Sequence, residues 1–363
     1  MHEPDTMRLC NRYFLAILVP VFTLSLAAQQ QPSKPSTPVQ QNQGPLTVDR
    51  DPVRSPDVEA PPSPSGEPLK KQGEGYVLHT DVEEVILNAT VLANGNQLVQ
   101  NLKKDNFQVF EDGVKQNIVS FQHTDLPVSI ALVIDNSGSM SKKRPSVNKS
   151  ALDLVEASNP QDEAFVVNFS DEAYIDQEFT SDVNKLRDGL SHIESRGGTA
   201  LYDAVVASAD KLVADGKRPK QVLVIVTDGE DNASTLTLEQ TIRRVQELSG
   251  PVIYSIGLLF GDEMSRAEVR HARRALEMLS TETGGIAFFP KNIEQVDEIA
   301  AEVARDIRSQ YTIGYRSNKP SSEPGFRRVQ VTAEGPGMGK LSVRTRTGYF
   351  PEKRVKRAGA TRK

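Results

Sequence analysis

The order of apolar and polar residues changes twice along the chain. Residues 82–121 alternate with period two, and Val85, Leu87, Ala89 and Val91 share one face, as half-buried strands do. Asn94-Gly95 and Asp112-Gly113 suit the positive φ angles of tight hairpin turns. From 127 to 310 the pattern becomes short runs that are apolar on both faces: Val128–Ile134, Phe165–Phe169, Val222–Thr227 and Val252–Gly257. Such runs predict strands of a parallel sheet covered by helices. Between and after them lie helical patterns at 200–214, 265–281 and 292–309. In the last, Ile293, Val296, Ile299, Ala300, Val303, Ala304 and Ile307 form one stripe. Asn292 is placed as its N-cap with Gln295 three residues on, and Gly284-Gly285 stops the helix before it. Period two returns over 311–350, broken by Gly325 and by Gly335-Pro-Gly-Met-Gly339.

The sequence therefore predicts an α/β fold, an open, doubly wound and mostly parallel sheet at 127–310. A small β unit forms from the flanking segments 76–126 and 311–351, each of which covers strand edges of the other.

The ends of the chain change this picture. Arg8 and Arg12 precede a 14-residue apolar run, Tyr13–Leu26, whose end overlaps the small-residue site Ser25-Leu26-Ala27. This is the layout of a secretory signal over 1–27. The run is short of the roughly 20 residues of a membrane span, so no transmembrane segment is expected after cleavage; the alternative is an uncleaved anchor. Residues 28–75 hold ten of the 22 prolines and few large apolar residues. That composition predicts a disordered Pro/Gln-rich linker, with a ligand for a proline-binding domain as the other reading. The end, 352–363, is a basic tail with Lys353, Arg354, Lys356, Arg357, Arg362 and Lys363. It reads as an exposed terminus or as a contact for an anionic surface. The expected location is outside the cytoplasm: secreted, periplasmic or on the envelope.

Charge and composition exclude several classes. The net charge is −5, and no basic domain of a nucleic-acid binder is present. One Cys, at position 10, excludes a disulfide framework and a multi-cysteine metal site. The five His are scattered, with no His-Glu-x-x-His. Asn88, Asn148, Asn168 and Asn232 begin glycosylation sequons, which matter only in a eukaryotic secretory pathway.

Ligand sites in open α/β sheets lie beyond the carboxyl ends of strands. Two predicted strand ends here carry oxygen-rich loops, Asp135-Asn-Ser137-Gly-Ser139 and Thr227-Asp228-Gly229. Between them Gly197-Gly198-Thr199 opens a helix. Carboxylates and hydroxyls without His or Cys suit Mg²⁺, or Mn²⁺ or Ca²⁺. Taken singly, each of these residues is an ordinary turn or cap residue. Asp135 and Asp228 also admit a metal-assisted hydrolase, although no phosphate loop or nucleophile elbow accompanies them.

Asp135-x-Ser137-x-Ser139, then Thr199, then Asp228 resemble the metal-ion-dependent adhesion site of von Willebrand factor type A domains. The flanks Phe107-x-Val109-x-Glu111-Asp112-Gly113, Tyr311-Thr-Ile-Gly-Tyr315 and Arg346-Thr-Gly-Tyr-Phe350 resemble those of bacterial exported proteins related to that family. The resemblance implies a Rossmann-like fold and a non-catalytic module that binds a protein through a divalent metal. Ser137, Ser139 and Thr199 would contact the metal, with Asp135 and Asp228 direct or through water. The partner implied is an unknown protein offering an acidic side chain; the competing role is a structural envelope protein that needs no metal.

Overall fold

The computed structural model describes residues 84–351 apart from 95, 158, 193, 194, 249, 262 and 263. The expected signal (1–27), linker (28–75), basic tail (352–363) and residues 76–83 lie outside the described residues. Among those described, no helix is long and apolar enough to cross a membrane.

The first alternating segment supplies β1 (Glu84–Ala93), β2 (Gln97–Leu98), β3 (Phe107–Glu111) and β4 (Val114–Gln122). Asp112 and Gly113 turn the β3–β4 hairpin with φ of 47° and 81°, the pair of positive angles that a type I′ turn demands. The chain then enters the α/β part: β5 (Val128–Asp135), α1 (Arg144–Glu156), β6 (Glu163–Phe169), β7 (Ala173–Thr180), α2 (Val183–Ser191) and α3 (Leu201–Asp215). It continues through β8 (Lys220–Thr227), α4 (Leu238–Leu248), β9 (Val252–Gly257), α5 (Arg266–Thr283), β10 (Ala287–Phe288) and α6 (Val296–Arg308). The last strands are β11 (Tyr311–Arg316), β12 (Arg327–Ala333), β13 (Ser342–Arg344) and β14 (Gly348–Tyr349).

The central sheet runs β10-β9-β8-β5-β6-β7. All its pairs are parallel except β6 with β7. Every residue of β5 is buried, because each face of the sheet packs on helices. Ile130, Leu132 and Ile134 meet Leu154, Leu186 and Val303 from α1, α2 and α6. Ala131 and Val133 meet Val205, Val245 and Leu276 from α3, α4 and α5. Burial of each such aliphatic side chain contributes about 1.5–3 kcal/mol.

Helix ends follow local chemistry. Ser265 accepts from the Glu268 amide at 3.3 Å while Glu268 accepts from Ser265 N at 2.6 Å, a reciprocal box at the start of α5. Gly284 ends that helix at φ 91°, and a Cβ there would lie 2.6 Å from Arg346 N. The expectation at 292 needs correction. Asn292 makes no side-chain cap bond. Gln295 instead accepts from Lys291 N at 2.8 Å, and a 3₁₀ turn at Ile293–Gln295 precedes α6.

The flanking segments form one sheet, ordered β13-β1-β11-β4-β3-β12-β14, with β2 on β1. β11, from the C-terminal flank, lies antiparallel between β1 and β4 of the N-terminal flank. β12 in turn pairs with β3. Leu87, Ala89, Val109, Tyr311, Ile313 and Val331 fill its core. The sheet is larger than the sequence pattern suggested, because β13 and β14 are only three and two residues long.

Candidate metal site

β5 stays apolar until its last residue, Asp135, which is fully buried. Its Oδ1 accepts from Ser137 N at 2.8 Å, which folds the following loop back on the strand end. Its Oδ2 accepts from Thr227 Oγ1, the last residue of the adjacent β8, at 2.5 Å. Burial pushes the Asp135 carboxyl up to about 6. Hydrogen bonds from Thr227 and Ser137 oppose that rise, and the nearby Asp228 charge adds to it.

From this anchor the oxygens continue in a row. Ser137 Oγ lies 3.2 Å from Ser139 Oγ. Ser139 Oγ donates to Asp228 Oδ1 at 2.7 Å. Asp228 Oδ2 accepts from Lys143 Nζ at 2.5 Å. That ammonium also sits 5.6 Å from the centre of the Phe260 ring.

The third loop supplies Thr199. Gly197 has φ +78°, and a Cβ there would meet Asp171 Oδ2 at 2.1 Å, so any other residue is strained there and must push the Asp171 side chain aside. Asp171 Oδ1 accepts from Gly198 N at 2.7 Å. Asn232 Oδ1 accepts from Thr199 N at 2.8 Å, and Thr199 O accepts from Asn232 N at 3.0 Å. These bonds set the Thr199 hydroxyl against Gly229, where a Cβ would lie 3.2 Å from Oγ1. The helix cap is the next residue, Ala200, without a side-chain bond; Thr199 is not spent as a cap.

All five residues singled out in the sequence converge. Ser137, Ser139, Thr199 and Asp228 line one cleft of about 300 Å³, with Lys143 and Phe260. Asp135 lies behind them and reaches them through Ser137 and Thr227.

The donor set fits a small hard cation. Octahedral ligands at about 2.0–2.1 Å from Mg²⁺ place neighbouring oxygens about 2.9 Å apart. The Ser137–Ser139–Asp228 row has spacings of 3.2 and 2.7 Å. Among the described residues no group of three or more His, Cys, Asp or Glu is placed to hold a metal. This set has two carboxylates and three hydroxyls, so it differs in kind from such a group.

Sequence reasoning missed four residues here. Thr227 was legible only as the neighbour of Asp228, yet it ties β8 to Asp135. Asp171 and Asn232 hold the Gly-Gly-Thr loop, and their signal was no more than turn composition. Lys143 stands eight positions after Asp135 at the start of α1, with nothing in the local pattern to connect it to Asp228. Of the sequons, Asn168 is buried and accepts from Arg144 at 2.8 Å, so folding closes it to modification.

Comparisons with known proteins found a family model, a curated relative and solved structures similar to this chain. Residues 130–230 match the model of the von Willebrand factor type A domain family. Residues 130–230, which run from β5 to the loop after β8, are therefore similar to a von Willebrand factor type A domain. It is 27% identical over 244 residues to human inter-alpha-trypsin inhibitor heavy chain H4, covering 61% of this chain and 25% of that protein. The chain thus spans about a quarter of the length of that curated relative. Solved structures similar to it include a von Willebrand factor type A protein from Catenulispora acidiphila, at 12% identity and TM-score 0.43, covering 73% of this chain and 72% of that one. Another is the PilB minor pilin from Streptococcus sanguinis, at 16% identity and TM-score 0.41, covering 52% and 63%.

Proposed function

We propose that this protein is an exported, non-catalytic module that binds a partner protein through a divalent metal, Mg²⁺ or else Mn²⁺ or Ca²⁺, held by Ser137, Ser139, Thr199, Asp228 and, behind them, Asp135. The observation that carries the reading is the continuous row of hydroxyl and carboxylate oxygens along one cleft wall. Bound there, a divalent cation supplies positive charge that a partner's acidic side chain can ligate. Asp135 holds the first loop in shape through Ser137 N and Thr227. Ser137 and Ser139 offer neutral oxygens, so the donor set does not cancel the charge of a divalent ion. The Gly-Gly turn and Asn232 place Thr199 on the opposite loop. The apolar run and small-residue site at the N-terminus support export.

One observation favours a second reading, a structural envelope protein that needs no metal: Lys143 already balances Asp228. Thermal unfolding separates the two. Saturating Mg²⁺ or Mn²⁺ raises the melting temperature of the native chain relative to chelator, and Asp135→Ala abolishes the difference. Binding to the folded state alone stabilises by about 2.7 kcal/mol at a hundredfold excess over Kd. Identical melting with and without metal supports the structural reading. Capture of a partner from an envelope extract in Mg²⁺, released by chelator, tests the second half of the proposal.

A further inference from the structure

Lys143 holds one of the carboxylates that a bound cation would use. Its ammonium lies 2.5 Å from Asp228 Oδ2, while Ser139 takes Asp228 Oδ1. The Asp228 side chain is 0% exposed and that of Lys143 14%. A buried carboxylate is stabilised by a positive neighbour, and Lys143 supplies that charge here. A second, divalent cation on the same carboxylate would repel the ammonium at close range.

The attachment of Lys143 makes release simple. Its backbone is fixed at the entry to α1, with N donating to Met140 O at 2.8 Å and O accepting from Val147 N at 3.1 Å. Only a four-carbon stem has to turn, and lysine, unlike arginine, carries a compact charge on a flexible stem. The cleft beside it is open, and the Phe260 ring borders the ammonium. Arg344 on Asp306 makes a useful contrast. That pair is 2.5 Å long, and Tyr254 OH donates to the same oxygen.

We infer that Lys143 is an exchangeable internal cation of this site: it balances Asp228 in the metal-free protein and is displaced when a divalent ion binds, so this one side chain sets the metal affinity. The inference rests on the metal-binding reading above and adds a competitor to it.

The test titrates Mn²⁺ into the metal-free full-length chain and counts free ion by electron paramagnetic resonance. Lys143→Met keeps the stem and removes the charge; it binds Mn²⁺ about tenfold or more tightly than the native chain. Lys143→Arg keeps the charge and stays close to native. Native-like or weaker binding by Lys143→Met, with the native chain binding, overturns the exchange and leaves the metal reading standing. No binding by either chain overturns both. A second readout needs no folded variant beyond the one used for assignment. In side-chain NMR of lysine-labelled native protein, the resonance lost in Lys143→Arg shifts on saturation with Mg²⁺. A resonance that stays in place under saturating Mg²⁺ overturns the exchange.

Discussion

Glu111 in the flanking sheet and Asp228 at the end of β8 are both buried, at 1% and 3% exposure, but they are enclosed by different kinds of neighbour. Glu111 Oε2 accepts from Tyr315 OH at 2.7 Å and Tyr349 OH at 3.0 Å. Its Oε1 accepts from Ser317 Oγ at 2.6 Å, and Arg327 Nη1 stands 3.7 Å away. Tyr315, Tyr349 and Arg327 belong to β11, β14 and β12, so three strands of one sheet converge on a single carboxylate. Burial, together with Tyr349 and Glu111, pushes the Tyr315 hydroxyl well above the usual range, so it remains a donor. Asp228 instead receives a loop hydroxyl and a flexible ammonium, beside an open cleft. Glu111 is closed by strands of the fold; the donors to Asp228 are a loop serine and a lysine on a four-carbon stem. The first arrangement holds two distant chain segments together, whereas the second suits an exchangeable ligand.

The strongest way to break this contrast is to cut the chain after 310. β11 sits between β1 and β4, so its loss should leave residues 84–122 open to limited proteolysis and lower the melting temperature. A truncated chain with full thermal stability would refute the shared sheet. Next in size is Glu111→Ala, which leaves Arg327 buried without its carboxylate. Breaking a buried pair from one side costs about 3–5 kcal/mol, measurable by urea unfolding, and the Mg²⁺-dependent shift should survive it. Asp228→Asn should show the converse, with a smaller cost in chelator, about 1–3 kcal/mol, and no metal-dependent shift.

Lys220, at the opposite end of β8 from Asp228, sharpens the comparison through pH. It is 2% exposed and donates to Ile307 O at 3.1 Å. Burial pulls its ammonium down to about 8, against the attraction of Asp125, Asp162 and Asp306. Below pH 8 the lysine is charged in both folded and unfolded chains, so the full burial penalty applies. As pH rises from 8 towards 10.5 only the unfolded chain keeps the proton, and stability rises with pH. Urea midpoints for Lys220→Met should lose that rise and exceed native at pH 7. The smallest expected effect belongs to Gly197→Ala. Its positive φ and the Asp171 clash predict a loss of about 1 kcal/mol, with a reduced metal shift because Thr199 moves.

Much of this was legible from residue order. The apolar runs gave the four parallel strands β5, β6, β8 and β9, since only a sheet covered on both faces needs them. The turn pair Asp112-Gly113 located a hairpin. The flank residues Glu111, Tyr315 and Tyr349, quoted only as a resemblance, prove to be one hydrogen-bonded cluster. β7 escaped notice, because an edge strand with sequence Ala-Tyr-Ile-Asp-Gln-Glu-Phe-Thr is polar at too many positions. The start of α6 was misplaced because Asn292, with extended backbone and no side-chain cap bond, caps a 3₁₀ turn that precedes the α-helix. In the site, the five oxygen-bearing residues stood out by type and spacing. Lys143 and Asn232 did not, since contacts between loops 33 and 85 residues apart leave no periodic trace.

The most direct measurement is anomalous diffraction from crystals grown or soaked with Mn²⁺. The account predicts one peak bounded by Ser137, Ser139, Thr199 and Asp228, with the Lys143 ammonium withdrawn from Asp228. Full Mn²⁺ in the solvent, no peak in the cleft and Lys143 still on Asp228 would contradict it.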